Sequence, residues 1–361
     1  MRALILSHLY LDPDRRGKLR ALVGQGAAVT VAVPGGVAGE DSGVRIAPIP
    51  VRGDREKPES LSWTRAALRR LLADVRPDLV QIEEEPDSQP AAVAAAEAER
   101  LGIPVVLFSW ESTPKRRGYW SRQRAAASLR AARAGIGGNA LAAERLRLEL
   151  PGAPVACMPQ LGVAPPAPLE RTPDTTLAIG YIGRLLPERA VDMLLRACAL
   201  LMGSWTLFVA GTGPEQEELE LLAQRLGLAS RIRWLGGIGR AEVDALWPSL
   251  DCIVLPARRE GEWVERWSTV LVDAMARGVV PVVMEGGILH AVIGEAGKTA
   301  QDEETLGIAL QSLLAYPEER KRLGALARQR VLEHYVDAAI AEQTMALWRK
   351  VLANRPIANS Q

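Results

Sequence analysis

The stretch REGEWVERWSTVLVDAMARG, residues 259 to 278, carries four acids, Glu260, Glu262, Glu265 and Asp273, and two tryptophans. The apolar runs on either side, DCIVLPA and VVPVVM, read as strands, so a helix must fit between them. Gly278 suits the position just past the helix end, with Arg277 in the last turn and Pro281 beyond. Ser268 suits the N-cap, and Val270, Leu271, Ala274 and Met275 form an apolar stripe. Glu265 then stands in the loop ahead of the helix and Asp273 in its second turn. The two acids straddle a helix N-terminus, where free backbone N–H groups and the helix dipole favour an anion, and a phosphate fits between them. The alternative is that both acids merely favour the positive end of the dipole; the segment alone leaves both open.

The elements that must position these residues follow from length and periodicity. A chain of 361 residues is too long for one ordinary core, which argues for two domains. The runs ALILSH, AVTVAV, VRIAPI, DLVQIE, PVVLFSW, AGIGGN and VACMPQ alternate with Ala/Leu/Arg segments of helical period, a pattern of parallel sheet with crossover helices. The Pro-rich stretch GVAPPAPLERTPDTT, 162 to 176, suits a semi-rigid linker. The alternation then restarts with LAIGYIG, WTLFVAG, IRWLGG, CIVLPA and VPVVME. The expected layout is an α/β domain over 1–164, a linker over 165–176, a second α/β domain over 177–340, and a helix over 341–361 that packs back on the first domain. Two open sheets in tandem leave a cleft, and ligands bind beyond the carboxyl ends of parallel strands.

Composition narrows the function classes. Charges nearly cancel, 44 basic against 43 acidic, so nucleic acid held by bulk charge is not expected. The opening MRALILSHLY has too short an apolar run for a signal peptide, and no stretch approaches a membrane span, which places the chain in the cytoplasm. Cys157, Cys198 and Cys252 lack C-x-x-C spacing and read as buried small hydrophobes. His8, His290 and His334 are scattered, so no metal centre is expected. GEAGKT, 294 to 299, lacks the first glycine of a phosphate-binding loop. GTGPEQ, 211 to 216, has Gln216 where a dinucleotide fingerprint needs glycine, and reads as a tight strand-to-helix turn.

The segment from Trp263 to Gly278 resembles the E-x(7)-E segment of the retaining family 4 glycosyltransferases, which have the GT-B fold of two Rossmann-like domains. GYIGRLLPERAVDMLLRA is similar to that family's G-R-L-x-x-x-K-G segment, LFVAGTGPEQEEL to its strand and G-x-G-P turn, and RIRWLGGIGRAEVDALW to the strand and loop that follow. The resemblance covers roughly 130 to 335 well and the rest more loosely. It implies transfer of a hexose-type sugar from a nucleoside-diphosphate sugar to an acceptor hydroxyl, with retention and without metal or cofactor, in polysaccharide or glycoconjugate synthesis. Glu265 is then expected to face the donor sugar and Asp273 the ribose, since carboxylates accept strong hydrogen bonds from diols. Arg184 and Arg189 are expected to hold the diphosphate, while Gly183, Gly213, Trp267, Ser268, Thr269 and Val270 line the donor site. Glu260 and Glu262 match no family position and read as solvated loop acids.

The chain also departs from the family's pattern. Asp273 replaces the commoner Glu, Ala190 replaces the glycine after the cation, the glycine pair after the first strand is absent, and LFSWES offers Glu111 in place of a histidine. Glu111, Trp110 and His8 are therefore candidate acceptor or donor-sugar contacts, with a structural role for Glu111 equally open. Arg15, Arg16, Lys18 and Arg20 form one basic cluster, and Lys115, Arg116 and Arg117 adjoin Tyr119 and Trp120 in a second. Such clusters suit a lipid-linked acceptor or peripheral contact at the inner membrane face, or simply a solvated loop. Carbohydrate, lipid-linked and small-molecule acceptors all stay open. The departures keep two rival readings: a nucleotide-sugar-binding protein whose transferase activity has lapsed, and a sugar-nucleotide epimerase on the same scaffold.

Overall fold

The computed structural model describes residues 1–53, 61–167, 169, 175–258 and 265–354. The chain forms two compact units: Met1–Ala164 together with Tyr335–Gln361, and Pro165–His334.

The first unit contains strands β1 (Arg2–Leu6), β2 (Ala28–Pro34), β3 (Gly39–Asp41), β4 (Val44–Ile49), β5 (Val51–Arg52), β6 (Ser62–Trp63), β7 (Leu79–Ile82), β8 (Val105–Ser109), β9 (Ala132–Gly137) and β10 (Val155–Cys157). Eight of them form one sheet in the order β10-β9-β8-β7-β1-β2-β4-β3, with β3 antiparallel to β4 and the other pairs parallel. β5 and β6 make a small antiparallel pair of their own. Helices α1 (Gly17–Gly24), α2 (Arg65–Val75), α3 (Gln89–Arg100), α4 (Tyr119–Ala131) and α5 (Ala140–Glu149) complete the crossovers. The central strands are near-continuous apolar runs because helices cover both faces. Along β1, Ile5 enters one core with Val31, Phe108 and Ile136, while Leu4 and Leu6 enter another with Leu72, Ala94 and Leu107, as a two-residue period demands.

The second unit contains β11 (Leu177–Ile182), β12 (Trp205–Ala210), β13 (Ile232–Gly236), β14 (Cys252–Leu255), β15 (Val280–Met284) and β16 (Lys298–Ala300), all parallel in the order β13-β12-β11-β14-β15-β16. Its helices are α6 (Val191–Ala199), α7 (Gln216–Arg225), α8 (Arg240–Leu246), α9 (Thr269–Ala276), α10 (Ile288–Ile293), α11 (Glu303–Ala315) and α12 (Pro317–His334). In chain order these strands lie 3-2-1-4-5-6, the doubly wound arrangement. The parallel strands of the first unit, β4-β2-β1-β7-β8-β9-β10, follow the same rule. Each sheet therefore has a switch point, between β1 and β7 in one and between β11 and β14 in the other. There the crossovers diverge to opposite faces and the loops open a crevice.

The last helix, α13 (Asp337–Ala353), belongs to the first unit. The chain re-enters that unit at Tyr335, ahead of the expected residue 341. The return is pinned by the Val163–Val336 bridge, in which Val163 N donates to Tyr335 O at 3.0 Å and Asp337 N to Val163 O at 3.3 Å. Ile340, Met345 and Trp348 of α13 then join the core with Ile5, and the Trp348 indole donates to Gln81 Oε1 at 2.6 Å.

Candidate active site

The second unit's site is built where β11, β12 and β13 end. Their backbone ladder continues past the strands: Gly183 N donates to Ala210 O at 2.9 Å, Leu185 N to Thr212 O at 3.0 Å, and Gly211 N to Gly236 O at 2.7 Å. Two glycines make this approach feasible. Gly211 has φ +141°, and a Cβ there would fall 1.8 Å from the Gly183 carbonyl oxygen; at Gly213 it would fall 2.1 Å from that of Leu185. Beside these turns lies a cavity of about 530 Å³, lined by Gly183, Arg184, Thr212, Gly213, Gly237 and Ile238 among others. Gly213 thus lines the cavity and also lets its turn close.

Arg184 is exposed on this cavity; its carbonyl accepts from the Tyr181 hydroxyl at 2.7 Å, and its guanidinium enters none of the ion pairs among the described residues. Arg189 closes the short turn Pro187–Arg189 and pairs with Glu265. The same turn anchors Arg258, whose N donates to Glu188 O at 3.1 Å, whose Nη1 donates to Pro187 O at 2.8 Å, and whose Nη2 reaches Asp192 Oδ2 at 2.5 Å. Residues 258 and 265, from the segment after β14, are both tied to the turn after β11, across the switch point. Glu260, Glu262 and Trp263 lie outside the described residues. Ala190 follows with φ 49°, a left-handed conformation, which explains why glycine is the easier residue at this position.

Burial raises the Glu265 carboxyl above its ordinary range, and Arg189 pulls it back down. The Tyr181 hydroxyl is pushed up to about 12, first by burial, with Arg189 opposing and Glu265 among the acids reinforcing the rise. Tyr181 thus holds Arg184 through its carbonyl while sharing the electrostatic field of the Arg189–Glu265 pair.

Helix α9 begins as its sequence indicates. Ser268 is the N-cap and accepts from Leu271 N at 3.2 Å, and Gly278 has φ 74° just past the end. Thr269 and Val270 form the first turn, with Trp267 half-buried just before it. The helix is more deeply enclosed than one apolar stripe requires: every residue from Leu271 to Ala276 is buried, Asp273 included. Asp273 is enclosed by cations. Arg240 Nη1 lies 2.8 Å from its Oδ2 and Arg277 Nη1 3.6 Å from its Oδ1. Asp244 joins both arginines, at 3.1 Å to Arg240 and 2.8 Å to Arg277. Burial raises the Asp273 carboxyl, and the two arginines oppose that rise. The sequence reading missed Arg240; the signal available for it was a cation directly after the glycine-rich loop that ends β13.

In the first unit the strand ends look different. His8 follows β1 and Glu84 follows β7; His8 Nδ1 lies 2.8 Å from Glu84 Oε1, and His8 N donates to the same oxygen at 2.6 Å. Trp110 donates its indole N–H to Gln160 Oε1 at 3.2 Å and packs edge-on to Phe108. Glu111 is buried and paired with Arg117, and with Arg145 at 3.3 Å. The first basic cluster is not an open patch. Lys18 is 2% exposed with its Nζ 2.5 Å from Glu83 Oε1, while Arg16 and Arg20 share Asp41 at 3.3 and 2.8 Å. The positive charges are thus already matched by acids of the same unit. In the second cluster Arg117 is drawn in by Glu111 and Asp87, while Tyr119 and Trp120 remain exposed. Cys198 and Cys252 are buried as expected; Cys157, at the end of the edge strand β10, is exposed instead. Among the described residues, no group of three His, Cys, Asp or Glu side chains is placed to hold a metal ion, and no helix is long and apolar enough to cross a membrane.

Two Rossmann-like α/β units, with a cation-bearing cavity at the strand ends of the second, define the GT-B class. The family model described as glycosyl transferases group 1 matches residues 170–330, and the glycosyl transferase 4-like domain matches 16–147; the chain belongs to the group 1 glycosyltransferase family. It is 30% identical over 176 residues to the MMP alpha-(1->4)-mannosyltransferase of Mycolicibacterium hassiacum, covering 46% of this chain and 41% of that protein. It is 31% identical over 164 residues to the GDP-mannose-dependent alpha-(1-6)-phosphatidylinositol monomannoside mannosyltransferase of Mycolicibacterium smegmatis, covering 43% of each. These matches thus span less than half the length of those curated relatives. Among solved structures, sucrose-phosphate synthase from Thermosynechococcus elongatus superposes with a TM-score of 0.65 at 18% identity, covering 98% of this chain and 99% of that one. HepE of Anabaena, in complex with UDP and glucose, superposes with a TM-score of 0.65 at 14% identity, covering 97% and 100%. These likenesses establish the fold.

Proposed function

We propose that this chain transfers a hexose-type sugar from a nucleoside diphosphate to an acceptor hydroxyl, with retention and without a metal ion. The observation that carries the reading is the exposed Arg184 guanidinium on a glycine-lined cavity, next to a turn whose Arg189 pairs with Glu265 across the switch point. Glycines let a diphosphate approach the backbone, and guanidinium groups match its oxygens two at a time. Arg184 and Arg189 stabilise the charge that grows on the leaving diphosphate, a role worth on the order of 3 kcal/mol per well-placed donor. Glu265 keeps lone pairs beyond those Arg189 uses, enough to grip donor-sugar hydroxyls, and Asp273 takes the ribose diol. Ser268, Thr269 and Val270 contribute backbone N–H groups at the start of α9. The departing phosphate oxygen itself takes the acceptor proton, so no side-chain base is required.

The named relatives support transfer over a lapsed binding protein or an epimerase: two are mannosyltransferases, one printed as GDP-mannose-dependent, and the HepE structure holds UDP and glucose. The acceptor, a carbohydrate, a lipid-linked sugar or a small molecule, falls to the first unit, in a cytoplasmic protein that touches a membrane at most peripherally. The test is incubation with radiolabelled UDP- and GDP-sugars, with and without acceptor. Transfer or slow hydrolysis supports the reading, while tight binding with neither points to a lapsed site. Glu265→Ala should then lower turnover by about a hundredfold or more with nucleotide affinity nearly intact, and Asp273→Ala should weaken the nucleotide itself. Small, equal effects from both would contradict the assignment.

A further inference from the structure

The two arginines on Asp273 are held in unequal ways. Arg277 is 13% exposed, sits on the same helical turn, and has three further attachments: Nη2 on Asp244 at 2.8 Å, Nη1 on the Asp273 carbonyl at 3.2 Å, and its guanidinium over the Trp247 ring at 5.8 Å. Arg240 is 66% exposed and reaches over from the first position of α8, with one further partner among the described residues, Asp244, at 3.1 Å. Arg240 also follows closely on Gly237 and Ile238, which line the 530 Å³ cavity. Arg277 is therefore a fixed part of the scaffold around the buried acid, while Arg240 supplies the larger of the two charges that oppose the rise in its carboxyl. Arg240 is a long, largely exposed arm on a buried carboxylate; its release is offset by the rotamer entropy the freed side chain regains and by the hydrogen bonds that an incoming diol gives the same oxygen.

We propose that Arg240 is an exchangeable counter-ion: it occupies Asp273 when no ribose is bound and yields that carboxylate to a ribose diol. This deepens the proposed function and rests on its assignment of Asp273 to the ribose. A cis-diol can supply two O–H donors to the oxygen that Arg240 vacates, while Arg277 stays and neutralises the charge. The apparent affinity of a diol ligand is lowered by the fraction of molecules in which Arg240 covers the acid, and a ligand without the diol has no means of displacing it. Arg240 thus sharpens selection for the ribose diol.

The test is calorimetric titration of the whole protein with UDP and GDP and with their 2′,3′-dideoxy forms, for wild type, Arg240→Gln and Arg240→Lys. Arg240→Gln should tighten binding of the diol nucleotides about three- to tenfold and leave the dideoxy forms within about twofold, with Arg240→Lys close to wild type. Diol binding that weakens or stays the same in Arg240→Gln, while wild type still prefers the diol, overturns the exchange and leaves the ribose assignment standing. Equal affinity of wild type for diol and dideoxy forms removes Asp273 from the ribose, and the exchange fails with it.

Discussion

The two switch points share one topology and are furnished in opposite ways. Between β1 and β7 the strand ends carry charge that the first unit itself satisfies. Glu83 is enclosed by Lys18 at 2.5 Å, the Tyr10 hydroxyl at 2.6 Å and the Gln81 amide at 2.5 Å, and Glu84 takes His8 at 2.8 Å. In the second unit the ends of β11, β12 and β13, beside the switch point, carry glycines and a cavity, with the Arg184 guanidinium outside the ion pairs of the described residues. The same crevice can be closed by a buried polar network or left open for an anion, and residue type decides which. A fully paired network rigidifies the unit, whereas an exposed cation outside any ion pair retains its capacity to bind.

The largest effect that sharpens this contrast is expected at Lys18. Lys18→Met leaves Glu83 buried without its cation, which should cost about 3–5 kcal/mol of stability in the first unit, since breaking a buried pair strands the surviving charge. Hydrogen exchange of the β1 and β7 amides reads that loss, and nucleotide affinity should not move. A loss below about 1 kcal/mol would mean the network is no tighter than a surface pair. Tyr10, whose hydroxyl burial pushes well above the ordinary range with Glu83 adding to the rise, should stay protonated throughout.

A smaller effect is expected in the second unit. Ala190, with φ 49°, sits directly between Arg189 and α6, so Ala190→Gly should relieve left-handed strain and stabilise by about 1 kcal/mol. Thermal melting followed in the second unit checks it. Destabilisation instead would mean that the methyl, fully buried, contributes more by packing than it costs in strain.

Much of the fold was legible because buried parallel strands are continuous apolar runs, which is why β1, β7, β8, β11, β12 and β14 can be read directly from the sequence. β16 was not, because Lys298–Ala300 is a short edge strand that overlaps the end of the segment GEAGKT and has no apolar pattern of its own. The return to the first unit was placed late because helical period runs almost unbroken from α12 into α13, interrupted only at Tyr335 and Val336. At the site, Ser268 and Gly278 announced the ends of α9 by cap chemistry alone. The Arg240–Asp273 and Lys18–Glu83 pairs left no local trace, since sheet order brings together residues that no spacing rule connects. Arg16, Lys18 and Arg20 show the same limit: a run of cations displays its charge, while Asp41 and Glu83, which pair with them, stand elsewhere in the chain.

Arg184 is the guanidinium proposed to hold the diphosphate. The direct measurement compares wild type with Arg184→Ala by calorimetric titration of UDP against uridine and GDP against guanosine. Loss of one charge-assisted contact should weaken the preferred nucleoside diphosphate by about ten- to a hundredfold and leave its nucleoside unchanged. Equal diphosphate affinity in the two proteins would contradict it.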